Sequence, residues 1–184
     1  MSTRSSQGPV PMVARTESVA NPGEVLLRAF NDLRDELLST LMYLLGNRED
    51  AHDAAQETFI KCWRTLDGLD AIQNLRAWIF RVALNTAKDM QRSAWRRRSR
   101  PLLDGVVMHA SQTELPEDAM EDRETLQRLR EAIQRLRREE QEVFLLRQNG
   151  ELTYEQIAEI RHLPVGTVKT QMRAALQKLR AALV

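Results

Sequence analysis

The segment Thr153–Met172, with the sequence TYEQIAEIRHLPVGTVKTQM, constrains the fold of this chain more than any other segment. Thr153 and Gln156 have the spacing of a capping box, which begins a helix. Pro164 ends that helix and can open the next one at its first turn. The second helix carries one apolar stripe, formed by Val168, Met172, Leu176, Leu179 and Leu183. Together these features predict a helix–turn–helix.

The opposite face of that second helix is polar and basic. It carries Lys169, Thr170, Arg173, Gln177 and Arg180. From Arg161 to Val184 there are five Lys or Arg residues and no Asp or Glu. Such a face suits contact with phosphates and base edges in a DNA major groove. The alternative is an ordinary pair of antiparallel helices with a solvated face. That alternative does not explain why small Ala158, the turn and the basic second helix occur together.

Charge along the chain is segregated, although the net charge is only +1. Arg76–Arg100 holds eight Lys or Arg residues against Asp89 alone. Asp104–Glu124 holds seven acidic residues against Arg123 alone. An acidic segment therefore separates two basic ones, which indicates two separate contacts with a polyanion.

Composition excludes several classes of protein. The single cysteine, Cys62, allows no internal disulfide and no thiolate cluster. No apolar run is long enough to span a bilayer, and the N-terminus has no signal-peptide core. Glycine is scarce, with 7 residues in 184, and strand-like alternation is missing from the sequence. We therefore expect an all-α, cytoplasmic protein without direct membrane insertion.

Apolar periodicity divides the chain into two small helical domains joined by a flexible linker. The expected segments are a disordered leader at 1–23, a first domain at 24–100, an acidic linker at 101–122 and a second domain at 123–184. Helices of the first domain are predicted over 24–45, 49–66 and 75–98, with a loop beginning at Asp67. In the second domain, a helix over 139–148 precedes the helix–turn–helix.

The helix predicted over 75–98 carries a second basic stripe. Its members follow one another at steps of four, three, four and four residues: Arg81, Asn85, Lys88, Arg92 and Arg96. Asparagine can bond to a base edge while the cations hold phosphates. Trp78 lies at the border of the stripe, where it can stack on an unpaired base or belong to the core.

The helix predicted over 49–66 carries an acidic cluster of Asp50, Asp53 and Glu57, with Gln56 beside it. Carboxylates at this spacing could bind a metal or act as acid and base. The sequence offers no partnered set of His or Cys and no glycine-rich phosphate loop, so we expect no catalytic site, no metal and no cofactor. The remaining readings are a solvated face and a docking face for a basic protein partner.

These segments resemble a known family. NREDAHDAAQETFIKCW (47–63) and LRAWIFRVALNTAKDMQRS (75–93) are similar to region 2 of bacterial sigma-70-type factors. The segment 127–180, which contains the helix–turn–helix, is similar to their region 4. With only these two regions and a short linker, the chain resembles the extracytoplasmic-function (ECF) sigma factors. The resemblance covers about 37–98 and 126–183.

The resemblance implies a role for each surface. It assigns Asp50, Asp53, Gln56 and Glu57 to docking on the β′ clamp helices of core RNA polymerase. It places Asn85, Lys88 and Arg92 on the −10 promoter element, together with the other residues of the basic stripe. The helix–turn–helix would read the −35 element through Thr167, Lys169, Thr170, Gln171 and Arg173, and its domain would also bind the β flap.

The resemblance further implies a chain that is monomeric when free, that is held inactive by an anti-sigma factor, and that takes no small-molecule substrate. Its acidic linker would run through the polymerase toward the RNA exit path. Two departures from the family pattern stand out. His162 occupies a turn position that is usually Gly, and histidine tolerates a positive φ less well than glycine. Gln171 and Ala174 replace arginines, which predicts fewer phosphate contacts, with Gln171 available to pair with adenine.

Two other classes of protein remain open. A dimeric helix–turn–helix regulator would use the same motif on a palindrome, but it leaves the acidic cluster and the Asn85 stripe unexplained. A helical scaffold that sequesters partners would need no DNA contact, which the two basic stripes argue against. A hydrolase is the least supported class.

Overall fold

The computed structural model describes residues 21–98 and 120–183, and within them the chain is helical. The first domain contains α1 (Pro22–Asp32), α2 (Arg34–Leu45), α3 (Arg48–Trp63), a 3₁₀ helix (Leu66–Ala71) and α4 (Leu75–Arg98). The second domain contains α5 (Met120–Gln134), α6 (Arg138–Gln148), α7 (Tyr154–Arg161) and α8 (Val165–Leu183). The predicted all-α fold with two helical domains is confirmed. Residues 1–20 of the leader expected at 1–23 lie outside the described residues, and α1 begins at Pro22, inside that expected leader. Residues 101–119 of the linker expected at 101–122 also lie outside the described residues.

The first predicted helix is broken in two, which the sequence analysis did not anticipate. Leu33, between α1 and α2, has φ −102° and ψ 2° instead of helical values. Its side chain is nevertheless buried, as are those of Leu26 and Leu37. Because the apolar stripe runs unbroken across the bend, periodicity alone could not reveal it.

The junction of α2 and α3 follows the expected capping chemistry. Gly46 ends α2 in the left-handed region, with φ 82°. Asn47 then begins α3, because its side-chain oxygen accepts from the backbone N–H of Asp50 at 2.7 Å. At its far end α3 stops at Trp63 and not at residue 66, and a 3₁₀ helix replaces the predicted loop.

Helix α4 has the predicted bounds and forms the centre of the first domain. Asn74 caps it by accepting from the N–H of Ala77 at 2.8 Å. One side of α4 is buried against α2 and α3 through Ile79, Phe80, Ala83, Leu84 and Ala87. Burial of one large apolar side chain contributes about 2 kcal/mol, so this contact fixes the helix and the direction of its opposite face.

The helix–turn–helix is present in the second domain. The Thr153 hydroxyl accepts from the N–H of Gln156 at 3.2 Å, and the Gln156 side chain accepts from the N–H of Thr153 at 2.8 Å, which confirms the capping box. Pro164 precedes α8, and its carbonyl accepts from the N–H groups of Thr167 and Val168. It therefore occupies the capping position and not the first helical position. Leu183, predicted within the apolar stripe, is 40% exposed.

The two domains touch each other, which no pattern in the sequence indicated. Helix α2 packs on α6, and α4 packs on α7. Helix α5 begins at Met120, slightly inside the segment predicted as linker. Among the residues that the structure describes, no helix is both long and apolar enough to cross a membrane.

Candidate nucleic-acid interface

The predicted basic stripe of α4 lies on the face away from the apolar core. Its side chains differ in how far they are exposed to solvent. Asn85 and Arg92 are exposed, whereas Trp78 and Arg81 are partly buried. Arg92 lies 3.7 Å from a carboxylate oxygen of Asp89, one turn earlier. The side chain of Arg96 lies outside the described part of the structure. Helix α4 therefore presents the amide of Asn85 and the cation of Arg92 on one exposed strip.

Lys88, in the same stripe, contacts the other domain. Its Nζ lies 3.3 Å from Oε2 of Glu142, whose side chain is only 1% exposed. The same carboxylate accepts from Arg138 Nε at 3.0 Å and from Arg161. A buried carboxylate requires such partners because desolvation of an unpaired charge is costly. One residue proposed for DNA contact is thus part of an ion cluster shared by both domains.

Helix α8 presents its basic face more openly. Lys169, Thr170 and Arg173 are exposed, while Thr167 and Gln171 are partly buried. The Gln171 side-chain oxygen is enclosed and has no hydrogen-bond partner among the described atoms. The predicted pairing of Gln171 with adenine therefore stays a prediction, and the exposed residues form the accessible part of this face.

A groove of about 600 Å³ runs along α8 between basic and apolar side chains. Its lining comprises Tyr154, Lys169, Met172, Arg173, Leu176, Gln177 and Arg180. The Lys169 ammonium lies 5.9 Å from the centre of the Tyr154 ring, within range of a cation–π contact. In the turn before α8, His162 has φ 53°, the left-handed value expected at a position where glycine is common.

The acidic cluster on α3 divides into exposed and structural members. Asp53 and Gln56 are exposed, and Glu57 is partly buried 3.9 Å from Lys61. Asp50 accepts from the Asn47 side chain at 2.6 Å, so it also fixes the start of the helix. An adjoining groove of about 500 Å³ includes Gln56 and is lined by apolar Phe30, Leu37, Leu38, Phe59 and Ile60. The groove also includes Asn31, Arg34 and His52, whereas Asp53 and Glu57 lie on the same helix outside its lining. An apolar groove beside these carboxylates fits a protein surface better than a nucleic acid.

Neither metal binding nor thiol chemistry finds support in the described residues. They contain no group of His, Cys, Asp and Glu residues able to hold a metal ion. Burial raises the pKa of the Cys62 thiol to about 12, so the thiol stays protonated at neutral pH.

Sequence reasoning missed the residues that join the two domains. Arg76 was counted only as one charge in the basic segment, and Asn149 was not singled out. Arg76 Nε donates to the Gly150 carbonyl at 2.7 Å, and Asn149 Nδ2 donates to the Thr40 hydroxyl at 3.1 Å. Contacts between residues so far apart in sequence leave no periodic pattern, so only the folded chain reveals them.

Comparisons with known proteins assign both domains to a family. Residues 29–97 match the model of sigma-70 region 2, and residues 126–179 match that of sigma-70 region 4. The ECF RNA polymerase sigma factor SigW of Bacillus subtilis is 30% identical over 169 residues, covering 84% of this chain and 89% of SigW. The RNA polymerase sigma-H factor of Pseudomonas aeruginosa is 30% identical over 169 residues, covering 85% of this chain and 86% of that factor.

Two solved structures share the fold. The sigma factor RpoE from Bartonella quintana, in complex with the anti-sigma factor NepR, superposes with a TM-score of 0.67 at 23% identity, covering 88% of this chain and 95% of that one. CnrH, in complex with the cytosolic domain of CnrY, superposes with a TM-score of 0.63 at 22% identity, covering 88% of each chain.

A region 2 domain joined to a region 4 helix–turn–helix defines a sigma factor, a transcription initiation factor and not an enzyme. This chain belongs to the sigma-70 family, within its extracytoplasmic-function group.

Proposed function

We propose that this sigma factor binds core RNA polymerase through α3, places it at a −10/−35 promoter pair, and helps to open the −10 element. The observation that carries this proposal is the separation of three surfaces with different chemistry. An acidic, partly apolar surface lies on α3, and basic surfaces lie on α4 and α8 in different domains. A dimeric regulator would use only the last of these, so the proposal accounts for more of the molecule.

The α3 surface is the proposed docking site for the β′ clamp helices. Exposed Asp53 and Gln56 would meet a basic partner, with Glu57 beside them and apolar Phe59 and Ile60 in the adjoining groove. Asp50 would contribute mainly by fixing the helix start. Charge complementarity of this kind raises the association rate and selects the partner, while the groove supplies apolar area.

The α4 surface is the proposed −10 site. The residues proposed for it are Trp78, Arg81, Asn85, Lys88, Arg92 and Arg96. Extruding a base from the duplex costs a few kcal/mol. Exposed Asn85 and Arg92 can offset that cost by bonding to a base edge and a phosphate, and Trp78 can supply stacking.

The α8 surface is the proposed −35 site. Exposed Lys169, Thr170 and Arg173 would make the principal contacts, flanked by Thr167 and Gln171. The second domain would also bind the β flap. An anti-sigma factor is a further expected partner, because RpoE and CnrH were both solved as complexes, RpoE with the anti-sigma factor NepR. We place the free protein in the cytoplasm as a monomer.

Run-off transcription with purified core polymerase on a pool of promoter fragments tests the proposal. Wild-type protein should give specific initiation, and Asp53→Lys with Glu57→Lys should abolish it. The matched control carries Glu24→Lys with Asp32→Lys, the same charge change on exposed positions of α1. That control should transcribe as the wild type does, and both doubles should keep the wild-type circular dichroism.

Equal transcription by the two double variants would refute the docking site. A different result would favour the dimeric regulator: no initiation with any protein, together with a stable dimer that binds duplex DNA tightly without polymerase.

A further inference from the structure

The exposed strip of α4 carries an acidic residue at its centre. Asn85, Asp89, Arg92 and Ser93 are exposed and follow one another along the same side of the helix. The Ser93 hydroxyl donates to the Met90 carbonyl of its own helix at 2.9 Å, so it is engaged locally. Asn85, Asp89 and Arg92 are the remaining polar groups of the strip, and Asp89 has no role in the basic stripe predicted from the sequence.

Two cations flank the carboxylate of Asp89, whose side chain is 60% exposed. Lys61 Nζ, from α3, lies 3.9 Å from one oxygen, and a terminal nitrogen of Arg92 lies 3.7 Å from the other. Lys61 also donates to the buried hydroxyl of Thr86 at 3.1 Å, which holds its ammonium beside α4. Both distances to Asp89 are longer than a hydrogen bond. The two cations therefore offset the charge of the carboxylate without taking up its acceptor positions as hydrogen-bond donors.

A carboxylate that faces DNA selects a base by what that base can donate, because an ionised carboxylate only accepts hydrogen bonds. Promoter DNA is a duplex before it opens, and its major groove admits an α-helix. On that edge guanine and thymine present acceptors, and adenine has an acceptor beside its amine. Cytosine presents its N4 amine without an acceptor. Cytosine is therefore the base that Asp89 can bond without repulsion between two acceptors.

The spacing of the strip lets two neighbouring base pairs be read together. Asn85 and Asp89 are four residues apart, which is about 6 Å along a helix. Base pairs are stacked about 3.4 Å apart. The two side chains can therefore reach bases one or two pairs apart, with an asparagine suited to adenine. Arg92, which is 67% exposed, follows one turn later and can hold a phosphate.

We propose that Asp89 is a specificity-determining residue of the −10 surface, and that it accepts a hydrogen bond from the N4 amine of a cytosine. That cytosine lies within about two base pairs of the base that Asn85 reads. Lys61 and Arg92 make the contact possible by offsetting the repulsion between the carboxylate and the phosphates. This inference rests on the proposed role of α4 at the −10 element.

Binding of holoenzyme to promoter variants tests the proposal. Core polymerase carrying the full chain is titrated with a duplex promoter found by run-off transcription, and with versions in which each base pair of the −10 element is changed in turn. Wild-type protein should lose about tenfold in affinity when one particular C·G pair is replaced by any other pair. Asp89→Ala should reduce that loss to about twofold or less and leave the preferences at all other positions unchanged.

Asp89→Asn should move the preference at the same position from cytosine toward adenine, because a carboxamide can donate to N7 while it accepts from the amine. Asp32→Asn on α1 is the matched control, since it removes one negative charge at another exposed position. It should keep the wild-type profile. Arg92→Gln supplies the contrast of a phosphate contact, and it should weaken all promoter variants by about the same factor. Circular dichroism should be the same for all of these proteins.

Simple electrostatics makes a different prediction, because removing the negative charge of Asp89 would tighten binding to every sequence by the same factor. That uniform change would overturn the proposal, as would a wild-type profile with no preference for cytosine within the −10 element. In either case specific initiation by the wild type would leave the proposed function standing. If the wild type initiates at no promoter, the proposed function fails and this inference fails with it.

Discussion

The two basic helix faces carry similar chemistry but differ in how much of it is available. On α8, Lys169, Thr170 and Arg173 are exposed. On α4, Lys88 is paired with a buried carboxylate of the other domain, and Arg81 is partly buried. Helix α4 packs against α2, α3 and α7, whereas the contacts of α8 are with helices of its own domain. A stripe of cations in the sequence therefore indicates a DNA surface without indicating whether that surface is free.

The largest effect should come from the carboxylate that the two domains share. Glu142→Ala leaves Arg161, whose side chain is only 10% exposed, without its partner. Unpairing a buried charge should lower the free energy of unfolding of the second domain by about 3 kcal/mol. Urea denaturation followed by circular dichroism measures this loss.

Glu139→Ala, at an exposed position of the same helix, is the control and should change little. All three tryptophans lie in the first domain, so tryptophan fluorescence should report that this domain keeps its transition. Equal losses of unfolding free energy in Glu142→Ala and Glu139→Ala would show that the second domain does not depend on the Glu142 ion pairs.

Gly150→Ala should come next, at about 2 kcal/mol of destabilisation, because the new Cβ overlaps the Leu146 carbonyl oxygen and the turn must shift. The comparison variant is Gly68→Ala in the first domain, where a Cβ would meet nothing within 4 Å. Thermal unfolding of both proteins measures the difference. A Gly150→Ala protein as stable as Gly68→Ala would mean that the turn at Gly150 can accommodate a Cβ without cost.

DNA binding compares the two faces directly. Arg173→Ala should weaken binding of a −35 duplex about tenfold and flatten its salt dependence. Lys88→Ala should weaken binding of a −10 single strand by the free chain about twofold or less, because its ammonium is already paired. Fluorescence anisotropy at one fixed salt concentration measures both losses of affinity, and repeating it over a series of salt concentrations measures the salt dependence. Equal losses would show that Lys88 is as available as Arg173.

His162→Gly should stabilise the second domain by about 1 kcal/mol, because glycine adopts the left-handed backbone without the steric cost that a side chain brings. Differential scanning calorimetry measures the shift, with His52→Gly on α3 as an opposite control that should destabilise. A destabilised His162→Gly protein would mean that the imidazole stabilises the folded domain by more than the left-handed backbone costs.

The smallest effect concerns pH. Burial by itself raises the pKa of Glu140, but hydrogen bonds from the Lys178 ammonium and the Arg137 N–H outweigh it and hold the pKa below its ordinary value. The stability that Glu140 contributes is therefore present above its unfolded pKa and lost as pH falls through the lower folded pKa. Glu140→Gln should reduce the acid sensitivity of unfolding below about pH 4.5, and equal pH profiles would exclude this contribution.

Much of the fold could be predicted because it depends on interactions close in sequence. The Thr153–Gln156 capping box, the Gly46 C-cap and the bounds of α4 all followed from spacing or residue type. The bend at Leu33 could not be predicted, since neither proline nor glycine marks it and the apolar stripe continues through it. The 3₁₀ helix at 66–71 was missed because it has no helical periodicity of its own.

The candidate surfaces, like the fold, could be predicted only in part. Residue type and spacing on single helices predicted the basic stripes and the acidic cluster. They could not show that Asp50 is a cap partner, that Gln171 is partly enclosed, or that Lys88 reaches Glu142.

The sequence by itself determined the helices, their apolar faces and the charge of their polar faces, because these depend on neighbours three or four residues apart. The tertiary structure alone decided which charged groups are free. Arg76 and Asn149 are 73 positions apart, and their contact exists only because two separately patterned domains fold and then pack together.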